Sequence, residues 1–366
     1  MTALFRRIPT PVILFFGICV FLSLCSGQGW SQQTGNIVEY FGRDRVDTTA
    51  EGAVIHVFSE GLALRDAMRP GMLTGGQDIL AWQLATGRFE RPLPGQTLAD
   101  RYVEVDQELV WEPVKVDPDG YFRGNLERAY VYTELDSPAE GIALLEATGH
   151  TRVYINGLPH EGDHYDYGYT IVPFRLARGL NQFVYTYGRF GRVASKIVLP
   201  ERPVMFSPRD MTLPPLIRGD SGLLWGAVRV LNASEEMLTD LQIDCILESG
   251  EAATHRSGGI IPVDVRKLPF RIPLPLHPVT ADTVSAMLVL RNAGGDELDR
   301  IRISLVQQDG GSHHERTFVS RIDGSVQYYS VAPSTSEGPG QALFLSLHGA
   351  SVEATNQTRA YAPKDW

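Results

Sequence analysis

The sequence predicts a mostly β protein, in which two successive β-sandwiches are followed by the first strands of a further α/β domain. Short β-rich runs alternate with clusters of Gly, Pro, Asn or Asp, as they do in sandwich proteins. Helical periodicity is scarce beyond the amino-terminal segment, and 36 Gly and 23 Pro residues provide frequent turns. A chain of 366 residues has room for two or three hydrophobic cores.

The amino terminus has the layout of a signal peptide. Arg6 and Arg7 precede an apolar run from Val12 to Cys25, and small residues follow that run. The run is shorter than the roughly 20 apolar residues that span a membrane comfortably, which makes a membrane anchor the weaker interpretation. We therefore expect residues 1–29 to be a bacterial signal peptide. The protein would be secreted or periplasmic, with no stable membrane insertion after cleavage.

The net charge and the cysteine content exclude several partners and an internal disulfide. The formal net charge of -10 makes nucleic acid and anionic membrane surfaces poor partners. Cys245 is the only cysteine outside the predicted signal peptide, so no internal disulfide is expected in the mature protein. Its alternation with Ile243 and Leu247 predicts a buried small hydrophobe rather than a nucleophile. We expect no cofactor and no metal site.

The first sandwich is predicted over residues 95–205, after an irregular segment with some β structure over residues 30–94. Strand-like runs are densest between Ala129 and Leu199, and Asn156-Gly157 between two of these runs is typical of a tight hairpin turn. The segments V-Y-I-N-G and L-A-R-G-L-N-Q-F in this region resemble strand and turn signatures of galactose-binding-like jelly rolls. That likeness is one of fold.

The second sandwich is predicted over residues 206–308 and has roughly the strand count of an immunoglobulin-like domain, without its paired cysteines. The Pro residues between Pro200 and Pro215 predict a stiff connector before it, because Pro cannot donate to a central sheet ladder. Residues 309–315 are predicted to be a second linker. A hairpin that turns at Asp323-Gly324 is expected to follow.

A tyrosine-rich loop in the first sandwich is the candidate ligand site. Aromatic rings could stack on sugar faces there while a few polar groups hold hydroxyls. The residues are Tyr165, Tyr167, Tyr169 and Tyr187, with Asn156, Asp163 and Arg189 nearby in the sequence. Tyrosines are also ordinary sheet residues, so a scaffold role for the sandwich remains open.

The same loop holds the densest cluster of metal-ligand residue types. His160, Asp163 and His164 lie in it, but hydrolytic zinc sites prefer His pairs at helical spacing on one element. A solvated polar loop is the preferred interpretation. A calcium site that uses Asp163 and Asp166 has no motif in its support.

A pattern near the carboxyl terminus predicts an oxyanion loop. The strand-like run Ala342–Leu347 ends at His348-Gly349-Ala350, and α/β-hydrolases build part of their oxyanion hole where a strand breaks in this way. A strand that simply ends in a turn is the alternative, with Gly349 supplying an unusual φ.

Longer segments resemble prolyl-oligopeptidase-like serine hydrolases. The run T-F-V-S-R-I-D-G-S-V-Q-Y-Y-S-V-A-P from Thr317, the oxyanion pattern and A-Y-A-P-K-D-W from Ala360 resemble the start of their catalytic domain. N-I-V-E-Y-F-G-R from Asn36 and G-M-L-T-G-G-Q-D from Gly71 resemble the accessory region of some secreted bacterial members. The likeness covers most of the mature chain, but only its final fifty or so residues touch the catalytic domain.

This resemblance implies that residues 309–366 are the truncated start of an α/β-hydrolase domain. The full product would be a serine-dependent peptidase or esterase that acts on a peptide or ester. Gly349 and Ala350 would supply oxyanion amides and His348 would support the loop. The nucleophile, acid and base would lie beyond Trp366, on a downstream catalytic domain of the same polypeptide, and this chain alone would be inactive. The alternative is a non-catalytic carbohydrate-binding or scaffold module of β-sandwiches.

Overall fold

The structure is a computed structural model, and it describes most of the chain from Gly52 to Arg359. The described residues are 52–67, 78–98, 108–124, 126, 128–188, 191–277, 280–334, 338, 340, 342–349 and 353–359. The predicted signal peptide lies outside them, and so do the segments that begin at Asn36, Gly71 and Ala360. The described part is mostly β, with two short helices.

The first sandwich is built from twelve strands. They are β1 (Gly52–Val57), β2 (Glu60–Leu64), β3 (Thr97–Leu98), β4 (Leu109–Lys115), β5 (Phe122–Arg123), β6 (Tyr130–Ser137), β7 (Gly141–Thr148), β8 (His150–Ile155), β9 (Leu158–Glu161), β10 (Ile171–Leu176), β11 (Gly179–Tyr187) and β12 (Arg192–Pro200). One sheet has the order β1-β12-β7-β10, with β5 on β12, and the other has the order β3-β4-β2-β6-β11-β8-β9. Large side chains such as Phe122, Phe183 and Tyr185 fill the core between the sheets.

The first sandwich begins earlier in the chain than the sequence suggests. Strands β1 and β2 lie within the segment 30–94, which is predicted to be irregular with some β structure, and both belong to the sheets of this sandwich. β2 pairs with both β4 and β6, so it is an interior strand. Its run E-G-L-A-L is too short for periodicity to separate a strand from a loop.

A short helix, α1 (Ile79–Ala85), covers the outer face of the seven-stranded sheet. Leu80 and Leu84 of the helix pack with Trp111 in a second apolar cluster on that face. Asp78 caps the helix, since its Oδ1 accepts from the amides of Leu80 at 3.1 Å and Ala81 at 3.0 Å. The Tyr130 hydroxyl donates to the other carboxylate oxygen of Asp78, which ties the cap to the sheet.

The second sandwich contains eight strands. They are β13 (Val204–Thr212), β14 (Leu216–Ile217), β15 (Leu223–Asn232), β16 (Gln242–Leu247), β17 (Ala252–Arg256), β18 (Asp264–Pro273), β19 (Thr283–Arg291) and β20 (Glu297–Gln308). A three-stranded sheet, β13-β15-β18, faces a five-stranded sheet, β14-β20-β19-β16-β17. Cys245 is fully buried in the core between them, which confirms its prediction as a small hydrophobe. Burial raises the pKa of the Cys245 thiol to about 12.

The predicted proline connector is partly a strand. Residues 204–212 form β13, which pairs with β15 at an edge of the three-stranded sheet. The pairing slips between Ser207 and Thr212, and Pro208 lies inside this irregularity. An edge position with a bulge tolerates Pro, because the missing amide is not needed by the ladder.

A hairpin of β21 (His314–Val319) and β22 (Val326–Val331) follows the second sandwich, which confirms the predicted turn at Asp323-Gly324. His314 and Glu315 belong to β21 and not to the expected linker. The hairpin lies against β15, where the Thr317 hydroxyl donates to the carbonyl of Trp225 at 2.7 Å. A second short helix, α2 (Ala354–Arg359), packs against β22.

The expected start of an α/β-hydrolase sheet is not formed by the described residues. Residues 342–349 have no regular secondary structure there, and their side chains are exposed. Within the described strands, the only parallel pair is β14 with β20, whereas the expected fold is built on a mainly parallel sheet. The sequence pattern misled because a short apolar run cannot by itself be assigned to a strand.

The two sandwiches pack against each other through outer faces of their smaller sheets. Leu144, Ile171 and Val198 of the first sandwich form an apolar cluster with Met205 and Leu231 of the second. Burial of this surface favours the contact through the hydrophobic effect. Among the described residues, no helix is long and apolar enough to cross a membrane.

Candidate functional site: the tyrosine loop

The tyrosine loop, residues 162–170, connects β9 to β10 and is shaped by two buried aspartates. Oδ1 of Asp163 accepts a hydrogen bond from the Tyr167 amide and Oδ2 accepts one from the Gly168 amide, both at 2.9 Å. Both carboxylate oxygens of Asp163 therefore hold the loop backbone. The residue is 5% exposed, which leaves little of its carboxylate accessible to a ligand.

The second aspartate anchors the loop to the sandwich. Asp166 adopts a left-handed backbone conformation, with φ of 56°. Its carboxylate pairs with Arg192 of β12, whose Nε donates at 2.5 Å, and it accepts a further bond from the Thr148 hydroxyl. A buried carboxylate is stabilised by a charge-assisted pair of this kind.

Three tyrosines of the loop form a stacked row. The ring centroids of Tyr165 and Tyr167 are 5.5 Å apart at an interplanar angle of 20°, and those of Tyr167 and Tyr169 are 5.5 Å apart at 46°. Burial raises the pKa of the Tyr167 phenol, and the negative charge of Glu353 adds to the effect. The three rings are half-buried, so parts of them reach the surface.

The row of tyrosines lies close to the carboxyl-terminal hairpin. Burial raises the pKa of Tyr328 on β22 to about 12, with a further contribution from the charge of Glu353. Glu353 thus acts on both Tyr167 and Tyr328. Residues from the first sandwich, the hairpin and the start of α2 therefore meet at one place.

Arginines of the second sandwich hold the loop from the other side. Arg229 of β15 donates to the carbonyl of Tyr169, and its other nitrogen pairs with Glu161 at 3.1 Å. Arg209 of β13 donates to the carbonyl of Gly168 at 3.2 Å. Arg209 also pairs with Glu146 of β7 at 3.0 Å, and both side chains of this pair are buried.

The structure does not bring Asn156 together with Asp163. Asn156 lies in the turn between β8 and β9, and Asp163 follows the opposite end of that hairpin. Four residues of β9 separate the two ends, which corresponds to about 13 Å along the strand. The side chain of Asn156 makes hydrogen bonds within the protein. Its Oδ1 accepts from the backbone amide of Gln182 at 2.9 Å, and its Nδ2 donates to Oδ1 of Asn181 at 3.0 Å.

The other residues predicted to bind a ligand are divided between the core and the undescribed part of the chain. Tyr187 is buried in the core of the first sandwich, and its hydroxyl donates to the Phe122 carbonyl at 3.1 Å. Arg189 lies outside the described residues. Tyr165, Tyr167 and Tyr169 are thus the predicted ligand residues that the structure places together at the surface.

The His and Asp cluster does not assemble a metal centre in the described part of the chain. No group of three or more His, Cys, Asp or Glu side chains is arranged to hold a metal ion there. Asp163 and Asp166 face amides and Arg192 respectively, as described above. Their oxygens are engaged by the protein itself.

The predicted oxyanion residues lie on an exposed segment. His348 is exposed, and its Nδ1 lies 3.1 Å from the carbonyl of the adjacent Gly349. A side chain added at Gly349 would meet no atom within 4 Å, whereas an oxyanion hole aims its amides into an enclosed site. Ala350 lies outside the described residues.

Sequence reasoning missed Glu146, Arg209 and Arg229, which together hold the loop and join the sandwiches. Glu146 lies in the middle of the apolar strand A-L-L-E-A, where a single charged residue is the only signal. A buried charge needs a partner, so a partner for Glu146 could have been expected. The identity of Arg209, 63 positions later, follows only from the fold.

Comparisons with known proteins give limited likenesses. No protein-family profile matches the chain, and no curated protein matches it. One similar solved structure is a crystal structure of Bacteroides uniformis β-glucuronidase, which is 15% identical in sequence. The match covers 55% of this chain and 28% of the β-glucuronidase chain, with a TM-score of 0.30. A GH2 β-galacturonidase from Eisenbergiella tayi is 15% identical, with coverage of 62% and 42% and a TM-score of 0.30. Amycolatopsis orientalis exo-chitosanase CsxA is 12% identical, with coverage of 76% and 35% and a TM-score of 0.29.

These comparisons correct the expected family. The solved structures named above are glycoside hydrolases, not prolyl-oligopeptidase-like α/β-hydrolases. The resemblance to serine hydrolases is therefore wrong, and with it the predicted peptidase or esterase function. The oxyanion role of Gly349 and Ala350 depended on that resemblance. The chain spans less than half the length of each of these structures. Identities and TM-scores at this level carry no information about the activity of this chain.

Proposed function

We propose that the described residues form a non-catalytic module, in which two β-sandwiches are joined into a single platform. The observation that carries this proposal is the ion pair between Glu146 and Arg209, buried where the sandwiches meet. Lys196 also pairs with Glu146, at 2.9 Å, so the carboxylate is held from both sandwiches. A mobile linker between independent domains would not need a buried charge pair.

The energetics of this pair make the proposal testable. Removing one partner of a buried ion pair costs about 3–5 kcal/mol, because the other charge stays buried and uncompensated. Arg175 and Glu235 form another pair between the sandwiches, at 2.6 Å, but both side chains are largely exposed. An exposed pair contributes little to stability, because water and salt screen both charges. It is therefore a matched control.

Calorimetric unfolding of the purified protein is the test. The wild-type protein should unfold in one transition that includes both sandwiches. Glu146→Gln should lower the transition temperature strongly and separate the unfolding of the sandwiches, while Glu235→Gln should leave a single transition near the wild-type temperature. Two independent wild-type transitions, or equal effects of the two variants, would overturn the platform proposal.

The non-catalytic part of the proposal has its own test. The purified protein should release no product from panels of chromogenic esters, peptides and glycosides. Turnover that survives repurification and scales with protein concentration would contradict it. Intact-mass measurement of the exported protein would test the proposed signal peptide, since cleavage would remove the amino-terminal segment.

Carbohydrate binding at the tyrosine loop is a second candidate function, favoured by the half-buried row of Tyr165, Tyr167 and Tyr169. Aromatic faces give ligand sites an apolar wall. Electrophoresis in gels that contain neutral polysaccharides would show retardation of the wild-type protein. Tyr165→Ala should remove the retardation. Tyr329→Ala should not, because Tyr329 is an exposed aromatic residue outside the loop. Unchanged retention of Tyr165→Ala would count against this site.

A further inference from the structure

Arg271, which pairs with no carboxylate of the described residues, lies on the outer face of the three-stranded sheet. Arg271 of β18 is the direct cross-strand partner of Trp225 on β15. The Cζ atom of Arg271 lies over the Trp225 ring, 4.0 Å from its centroid. Gly226 and Phe270, the next residues along the two strands, are buried. Because side chains alternate along a strand, Trp225 and Arg271 face away from the core.

Stacking prepares this guanidinium to bind an anion. An arginine held over an aromatic ring loses part of its freedom to move, while its N–H donors remain available for hydrogen bonds beyond the ring. Two parallel donors match the two oxygens of a carboxylate. Both side chains are half-buried, so the donors have a restricted orientation and still reach solvent.

A second basic side chain completes the cluster. The ring of His255 on β17 meets the Trp225 ring edge-on, with centroids 5.0 Å apart and an interplanar angle of 89°. Burial lowers the pKa of His255, and the positive charge of Arg271 lowers it further. The imidazole is therefore neutral near pH 7 and presents one N–H donor.

The absence of an acid here contrasts with other half-buried arginines of the second sandwich and its hairpin. Arg229 pairs with Glu161, Arg291 with Asp244 and Arg316 with Asp220. No carboxylate of the described residues forms an ion pair with Arg271. A partly desolvated cation without a counter-charge is unfavourable until an anion approaches it.

We propose that Arg271, Trp225 and His255 form a binding site for the carboxylate group of a small ligand. The guanidinium donates two hydrogen bonds to the carboxylate, His255 supplies a further donor, and Trp225 fixes the orientation of the guanidinium. The site is independent of the platform and of the tyrosine loop. A sugar acid and a simple carboxylic acid both present such a carboxylate, and the same experiment distinguishes these sources.

The experiment follows the indole N–H signal of Trp225 in two-dimensional proton–nitrogen spectra of the intact protein. Trp225→Phe identifies this signal among the five Trp residues. The probes are two matched pairs, glucuronate with glucose and propionate with propionamide, so that each acid is compared with its uncharged counterpart. The acid of at least one pair should shift the signal in a saturable way, and its neutral counterpart should not. A response to glucuronate alone would identify a sugar acid as the source.

Substitutions then assign the binding to Arg271. Arg271→Gln and Arg271→Lys should each weaken the effective probe by about tenfold or more, since neither side chain makes the two parallel bonds of a stacked guanidinium. Arg256→Gln is the control, because Arg256 is an exposed neighbour of His255 and its loss changes the net charge equally. The proposal is overturned if no acid shifts the signal, if the neutral counterparts shift it equally, or if Arg256→Gln weakens binding as much as Arg271→Gln.

Discussion

At the scale of single residues, polar side chains that the sequence marks as candidate ligands serve the loops that contain them. Asp163 binds two loop amides, and Asn156 bridges its turn to β11. The Asn-Gly turn was predictable, because both residues take positive φ, at 49° and 84°. The partner of Asn156 in the neighbouring strand, Asn181, was not predictable, since 25 positions separate them.

Replacement of Asp163 should destabilise the protein. Asp163→Ala leaves the amides of Tyr167 and Gly168 without their acceptors, so we expect the free energy of unfolding to fall by about 2 kcal/mol. Asp163→Asn keeps one acceptor oxygen and should lose about half as much. Urea unfolding followed by circular dichroism would measure both. Equal stability of Asp163→Ala and the wild type would mean that these hydrogen bonds are not formed in solution.

His150 should make stability depend on pH. It is fully buried, and neither ring nitrogen has a hydrogen-bond partner. Burial lowers its pKa to about 4, the backbone of Glu161 opposes the shift, and the charge of His164 adds to it. The folded state thus binds a proton less readily than the unfolded state, whose His150 has a pKa of 6.5. Stability should therefore fall as the pH decreases from 6.5 to 4, by roughly 3 kcal/mol in total.

A difference between variants isolates this contribution from other titrating groups. His150→Phe keeps an aromatic ring against Tyr185, which His150 meets edge-on at 5.7 Å, and it should flatten the pH dependence between pH 6.5 and 4. Denaturant unfolding at several pH values gives the comparison. Parallel curves for His150→Phe and the wild type would refute the assignment.

At the scale of elements, strands bounded by clear turn residues were predictable, and strands defined by distant partners were not. The hairpin of β21 and β22 follows from Asp323-Gly324 between two β-rich runs. β13 was missed because prolines suggested a connector, and only its pairing with β15 makes it a strand. Conversely, Ala342–Leu347 has the composition of a strand, but the structure assigns no regular secondary structure to these residues. Local composition indicates β propensity, whereas a strand also requires a neighbouring strand with which to form hydrogen bonds.

The turn of the carboxyl-terminal hairpin offers a test at this scale. Gly324 has a φ of 74°, where a Cβ costs about 1–2 kcal/mol, although no atom crowds the position. Gly324→Ala should therefore speed amide hydrogen exchange in β21 and β22 by about fivefold or more. Gly311→Ala is the matched control, because Gly311 also lies in open space but has no positive φ. Equal exchange in the two variants would show that the turn does not limit the opening of the hairpin.

At the scale of the whole molecule, two contacts of different character join the sandwiches. The apolar cluster around Leu144 and Met205 favours association without fixing an orientation. The pairs of Arg209 with Glu146 and of Arg229 with Glu161 are directional, and they set the position of the tyrosine loop. The sequence could predict two sandwiches but not this junction, since each sandwich alone would satisfy its alternating pattern. The position of the candidate site is thus a property of the junction.

The exposed segment 342–347 should govern self-association of the whole molecule. Four large apolar side chains are exposed within five positions there, namely Leu343, Phe344, Leu345 and Leu347. An uncharged apolar segment without Pro is prone to pair with another chain, and the net charge of -10 opposes association only weakly at physiological salt.

We expect the sedimentation coefficient of the protein to rise with protein concentration. Phe344→Asp combined with Leu345→Asp should abolish it, because charges interrupt such pairing. Leu276→Asp, at an isolated apolar side chain that is 80% exposed, should leave it unchanged. Association that persists in the double variant would show that another surface of the protein mediates self-association.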